Sequence, residues 1–334
     1  VKNINIVKRN FIFLSIAILI MASVGIHKIN AAPRVEIDKP VTIVAQVSSD
    51  DTSVFATQFK GTVTIELYKI ATLDESGTPS LTASFEGKDI DLTVLDKKPT
   101  VDDIKDKIVN PALVATEGMS TNDVITIDRS ETNLGSKVIE NGAGIYLYKP
   151  LAISDKRYAY TFTSYVVFAP TSTFIQSGAG DDTWNYESTF TLKAEEEPLY
   201  GSIDITKTLD TFNTSLGTAA FVYKVTAVRD EETVFSNVYT IDMYGPETRT
   251  RTIHNIPADS TVTVTEVYTG ASYKLVSEAS KEAYIVADEL EEERAEVTFE
   301  NDYDNRLNVG GISAENIFEE EDGVPVWRGT MEPR

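Results

Sequence analysis

Hydrophobic and polar residues alternate along most of this chain. In Val41-Thr42-Ile43-Val44-Ala45-Gln46-Val47, and again in Gly61 to Lys69, apolar side chains recur at every second position, with Val63, Ile65 and Leu67 on one face. Gly144-Ile145-Tyr146-Leu147-Tyr148, Tyr158 to Ala169 and Trp184 to Lys193 are of the same kind. A strand sends successive side chains to opposite faces, so each run predicts a strand with one buried face. Asp74 to Pro79 reads as the turn after the second run. Only Thr100 to Thr116 has helical spacing, with Thr100 as cap and Val101, Ile104 and Ile108 on one face, and Pro111 predicts a break within it. The expectation is an all-β protein of two immunoglobulin-like sandwiches in tandem, the first with a short helix.

A second group of strands follows the acidic, proline-ended stretch Ala194-Glu195-Glu196-Glu197-Pro198, which reads as a linker. Three of these strands break their own pattern. Ile203 and Ile205 set an apolar face that Lys207 continues, while Ser202, Asp204 and Thr206 face the other way. Val262, Val264 and Tyr268 share a parity with Glu266, and Val297, Phe299 and Tyr303 share one with Asn301. An amine, a carboxyl and a carboxamide are thus aimed into one core, where an unpaired polar group costs roughly 1–3 kcal/mol. An isopeptide bond gives all three a common use. Burial favours a neutral, nucleophilic Lys207 and a protonated Glu266, which polarises the Asn301 amide and moves protons as ammonia leaves. The alternative is that Lys207 snorkels, Glu266 pairs with a surface cation and Asn301 closes a turn.

These motifs resemble the Cna protein B-type (CnaB) domains of Gram-positive surface proteins and pilins. ITKTL is similar to their opening lysine strand, IPADSTVTVTEVYTGASYKL to their glutamate-bearing strand and VTFENDY to their closing asparagine strand. The resemblance spans about residues 200 to 304 and implies Lys207 and Asn301 as the crosslinked pair, with Glu266 as the catalytic acid. Upstream, TVTIELYKIA, GAGIYLYKP and YTFTSYVVFAP followed by WNYESTFTLK resemble the N-terminal domain of fimbrial pilins. There the lysine of a WxY-to-lysine motif is joined by a sortase to the next subunit, which implies Lys193 here. Leu192 stands where proline is usual and Thr191 where tyrosine is usual, so a solvated strand-end lysine is the other reading. Lys69 also lies on an inward parity, but Trp184, Tyr186, Ser188, Phe190 and Leu192 offer it no Asn or Asp, and it reads as a snorkelling lysine.

Domain limits follow: residues 1–32 a signal peptide, 33–197 the pilin-like β domain, 198–305 the CnaB-like sandwich and 306–334 an acidic tail. Lys2, Lys8 and Arg9 precede the apolar run Phe11 to Ile26, and Ile29-Asn30-Ala31-Ala32 reads as the cleavage site. Loss of residues 1–31, which carry four Lys/Arg and no acid, leaves 26 Lys/Arg against 52 Asp/Glu. Such a chain repels nucleic acid and anionic membranes. With no Cys it forms no disulfide, and with His254 the one His left there is almost no material for a Ser/His/Asp triad or a zinc site.

Gly142-Ala143-Gly144 and Gly178-Ala179-Gly180 lack the helix that phosphate binding needs and read as turns. Asp50-Asp51 and Asp181-Asp182 lack calcium-loop spacing, and Glu289 to Glu293 reads as a polar hairpin tip. Neither metal nor cofactor is expected. The tail shows no LPxTG-type sorting signal, so a monomer released from the cell is expected rather than a wall-anchored one. The leading expectation is a secreted, non-enzymatic structural or adhesive subunit, with other pilin subunits or extracellular ligands as partners. The competing class is a soluble carbohydrate-binding or enzyme-accessory module, for which exposed aromatic rows on one face would speak.

Overall fold

The computed structural model describes residues 34–172, 183–290 and 294–304, together with the backbone of Phe318–Glu321 and Val324–Trp327. The expected signal peptide and its cleavage site lie outside the described residues, as do Gly178-Ala179-Gly180, Asp181-Asp182 and residues 291–293 of the expected hairpin tip. The chain divides into two compact units, Val1–Glu197 and Pro198–Arg334.

The first unit is built on two sheets. Val41–Val47 runs parallel to Glu187–Leu192 and antiparallel to Leu134–Ile139. In the other sheet Thr62–Leu73 is central, flanked by Gly144–Pro150, Val124–Asp128 and Pro79–Leu81, with Tyr165–Ala169 beyond Gly144–Pro150. Val41, Ile43 and Ala45 from one sheet and Val63, Ile65, Leu67, Tyr146 and Leu147 from the other are buried in a common core. The run Tyr158 to Ala169 divides: Tyr158–Phe162 joins Ile153–Ser154 and Ala194–Pro198 in a third small sheet. Ala194–Pro198, a linker by composition, is therefore a strand, and Glu196 accepts the Phe55 N–H at the start of the short Val54–Thr57 helix.

The helical stretch corrects two expectations. Thr100 caps it as anticipated, its hydroxyl accepting the Asp103 N–H at 3.1 Å while the Asp103 carboxylate accepts the Thr100 N–H at 2.9 Å. Pro111, however, does not end it. Val101–Ile104 is α-helical, Lys105–Val109 widens into a π turn in which Asn110 N–H donates to Lys105 C=O, and Asn110–Ala115 is α-helical again. The Lys107 carbonyl, which Pro111 cannot serve, instead accepts the Asp91 N–H at 2.9 Å. Ile104 and Ile108 are buried, but Val101 is exposed.

The second unit is a sandwich of two four-stranded sheets. One has Tyr200–Leu209 between Thr248–Pro257 and Ala295–Tyr303, with Tyr273–Leu275 on the far side of Ala295–Tyr303. The other orders Glu232–Met243, Ala219–Arg229, Ser260–Tyr268 and Ser280–Ile285. Their inner faces close on Ile203, Ile205, Phe221, Val225, Val262, Val264 and Phe299. Tyr200–Leu209, the lysine strand, is parallel to Ala295–Tyr303, the asparagine strand, so the first and last strands of the sandwich are hydrogen-bonded neighbours.

Two bulges interrupt these ladders, and one of them shifts the parity read from sequence. Tyr223 opposes Glu266 but Val222 opposes Tyr268, so Val267 of the glutamate strand, Ser260–Tyr268, has no partner in that ladder. The alternation restarts there, and Tyr268, expected inward, is exposed. Gly201 opposes Ile256 and Ile203 opposes Ile253, so Ser202 faces two residues, one of them Asn255 at φ 60°. The extra residue is on the partner strand, so Ser202 keeps its outward parity and is buried there against His254 and Asp288. Beyond the sandwich, Phe318–Glu321 pairs antiparallel with Val324–Trp327, in a segment whose sequence read as tail.

Candidate functional site: a buried amine, carboxyl and amide

Register explains why three residues from separate strands meet. On the parallel pair Lys207 lies opposite Phe299, and Leu209 opposite Asn301. Lys207 and Asn301 therefore face the same side two positions apart, a diagonal of about 7 Å that the four-carbon lysine stem spans. Glu266 comes from the facing sheet. Lys207 and Asn301 are fully buried, and the Glu266 side chain has no exposed surface.

Lys207 Nζ lies 3.1 Å from Glu266 Oε2 and 3.4 Å from Oε1, and it donates to Asn301 Oδ1. Asn301 Nδ2 donates to Glu266 Oε1 at 2.6 Å and to the Thr269 carbonyl at 3.3 Å. The carboxyl thus bridges the amine and the amide nitrogen. The Phe221 ring lies 4.4 Å from Nζ, and Phe299 packs on Tyr223 with centroids 5.1 Å apart. Burial lowers the Lys207 amine to about 8, the nearby Glu266 carboxylate pulling it partly back. An amine brought that close to neutrality is a competent nucleophile.

Sequence reasoning missed Tyr223, which is fully buried and donates to Glu266 Oε2 at 3.3 Å. Its parity with Phe221 and Val225 marks it only as core. The available signal was chemical, since a buried tyrosine hydroxyl needs a partner. Burial first, then the Glu266 charge and hydrogen bond, push this hydroxyl well above its ordinary range, so it stays a donor.

The second unit also matches a family model. The model is described as a domain of unknown function, DUF5979, and covers residues 203–304, a span that contains Lys207, Glu266 and Asn301. No curated protein matches the chain. Among solved structures the chain is similar to GBS52, the minor pilin of Streptococcus agalactiae, at 12% identity over 81% of this chain and 99% of that one, TM-score 0.22. It is also similar to the full-length major pilin SpaD of Corynebacterium diphtheriae, at 9% identity over 81% and 99%, TM-score 0.25. A third is a Mobiluncus mulieris adhesin containing intramolecular disulfide, isopeptide and ester crosslinks, at 13% identity over 79% and 99%, TM-score 0.25.

The remaining sequence candidates are not drawn into the triad. Lys193 is exposed between Glu187–Leu192 and Ala194–Pro198. Lys69 is half-buried, its amine donating to the Asn141 carbonyl at 3.0 Å, and burial lowers its pKa. Ser202, His254 and Asp288 do meet. Ser202 Oγ donates to Asp288 Oδ2 at 2.8 Å and lies 2.9 Å from His254 Nδ1. A hydrolytic triad needs the imidazole between serine and carboxylate; here the serine stands between. Among the described residues there is no cluster of three or more His, Cys, Asp or Glu able to hold a metal, and no helix long and apolar enough to cross a membrane.

Proposed function

We propose that the chain is a secreted, cell-surface structural or adhesive subunit of the pilin type, whose second unit is stapled by an amide between Lys207 and Asn301. The observation that carries this reading is the Glu266 carboxyl, shielded from solvent, with one oxygen at the amine and the other at the amide nitrogen. In the reaction the Lys207 Nζ lone pair attacks Asn301 Cγ. Nζ passes a proton to one oxygen of Glu266, the other delivers its own to Nδ2, and the Cγ–Nδ2 bond breaks to release ammonia. No oxidant, metal or cofactor is consumed. The bond joins the first and last strands of the sandwich, where a load-bearing subunit gains most from it.

Resemblance of the first unit to pilin N-terminal domains, and the exposure of Lys193 at a strand end, support Lys193 as the point where a neighbouring subunit is attached. Peptide mapping tests the staple: a protease digest is expected to yield a branched peptide joined through Lys207 and Asn301, and recovery of both residues only in linear peptides would refute it. The attachment role is tested in cell-wall extracts: a detergent-resistant ladder that Lys193→Ala removes would support it and overturn the expectation of a released monomer, whereas release of monomer into the medium, or a ladder unaffected by that change, assigns Lys193 to the solvated surface.

A further inference from the structure

A carboxyl that moves a proton from an amine to a departing amide must keep one oxygen at each, and Glu266 does so. Both of those partners change during the reaction. Nζ becomes an amide nitrogen with a single hydrogen, and Nδ2 leaves as ammonia, so neither original hydrogen bond can hold the carboxyl through the whole sequence. Tyr223 is different. Its hydroxyl donates to Oε2 at 3.3 Å and takes no part in bond making or breaking. Its direction is set by packing: the ring is fully buried, tilted at 55° against Phe299, and in cross-strand register with Glu266 beside the Val267 bulge.

We propose that Tyr223 is a positioning residue for crosslink formation, its hydroxyl holding Glu266 with Oε2 toward the amine and Oε1 toward the leaving nitrogen. This rests on the isopeptide reading above. In the balanced step Lys207 gives one proton to Glu266, Glu266 gives one to Nδ2, and Tyr223 keeps its own throughout.

The test uses the full chain made by cell-free synthesis and quenched at intervals, with loss of ammonia followed by intact mass. Tyr223→Phe keeps the ring and removes the donor. It is expected to form the same bond roughly 10- to 100-fold more slowly, the range for one hydrogen bond to a charged group. Wild-type speed in Tyr223→Phe overturns the proposal. To separate folding from chemistry, Tyr223→Phe is also placed in the Lys207→Ala background, where an unfolding midpoint matching Lys207→Ala alone is expected and a collapsed one overturns the assignment. A wild-type chain that never loses ammonia removes the isopeptide reading and this one together; a wild type that reacts while Tyr223→Phe keeps pace removes only this one.

Discussion

At the residue scale, the inward positions of Lys207, Glu266 and Asn301 were legible because each lies on a regular stretch where parity alone decides the face. Tyr268 was not, because a bulge resets parity and hydrophobic pattern does not record bulges; Ser202 faces outward as its parity implies, but pattern does not record that His254 and Asp288 cover it. Tyr223 was hidden for another reason: an aromatic in a strand core reads the same with or without a partner for its hydroxyl. The Lys207 amine carries a pH signature. In Asn301→Ala, which keeps amine and carboxyl but cannot form the bond, Lys207 binds its proton less tightly folded, at about 8, than unfolded, at 10.5. Between those values the unfolded chain holds more protons, so stability is expected to rise with pH through that window. Denaturant unfolding of Asn301→Ala at several pH values measures this, and a fall in stability over the same window would contradict it. Wild type, with the amine consumed, is expected to show no such rise.

At the element scale, the strands followed from alternation, while the exceptions came from backbone hydrogen bonds supplied at long range. Pro111 is tolerated because Asp91, distant in sequence, takes over the orphaned Lys107 carbonyl. Ala194–Pro198 is a strand because Glu196 has a backbone donor to accept and a neighbouring strand to pair with. Neither partner can be read from local composition. Gly201 shows how tightly the lysine strand is seated: a Cβ there would lie 1.9 Å from the Val286 carbonyl oxygen, a backbone atom with little freedom to yield. Gly201→Ala is expected to destabilise the second unit by roughly 1–3 kcal/mol, as overpacking does. A denaturation midpoint equal to that of the parent would show that the chain relaxes there at no cost.

At the scale of the whole molecule, the two units are expected to unfold as separate transitions, only one of them sensitive to the crosslink. The ring closed by Lys207 and Asn301 spans 94 residues, all within the second unit. By analogy with a disulfide of that loop length it contributes roughly 4–5 kcal/mol through the unfolded chain. Calorimetry of Glu266→Gln is expected to lower one transition and leave the other in place; a shift of both by equal amounts would contradict this. Under tension the bond bypasses every strand between the first and last, so wild type is expected to withhold roughly 300 Å of extension that Glu266→Gln releases, at 3.3–3.6 Å per residue. All of this depends on the bond being made. Intact mass spectrometry of the purified full chain asks that directly: wild type is expected to be lighter than its sequence by one ammonia and Glu266→Gln to show its full mass, whereas a wild-type chain at its full sequence mass would contradict the account.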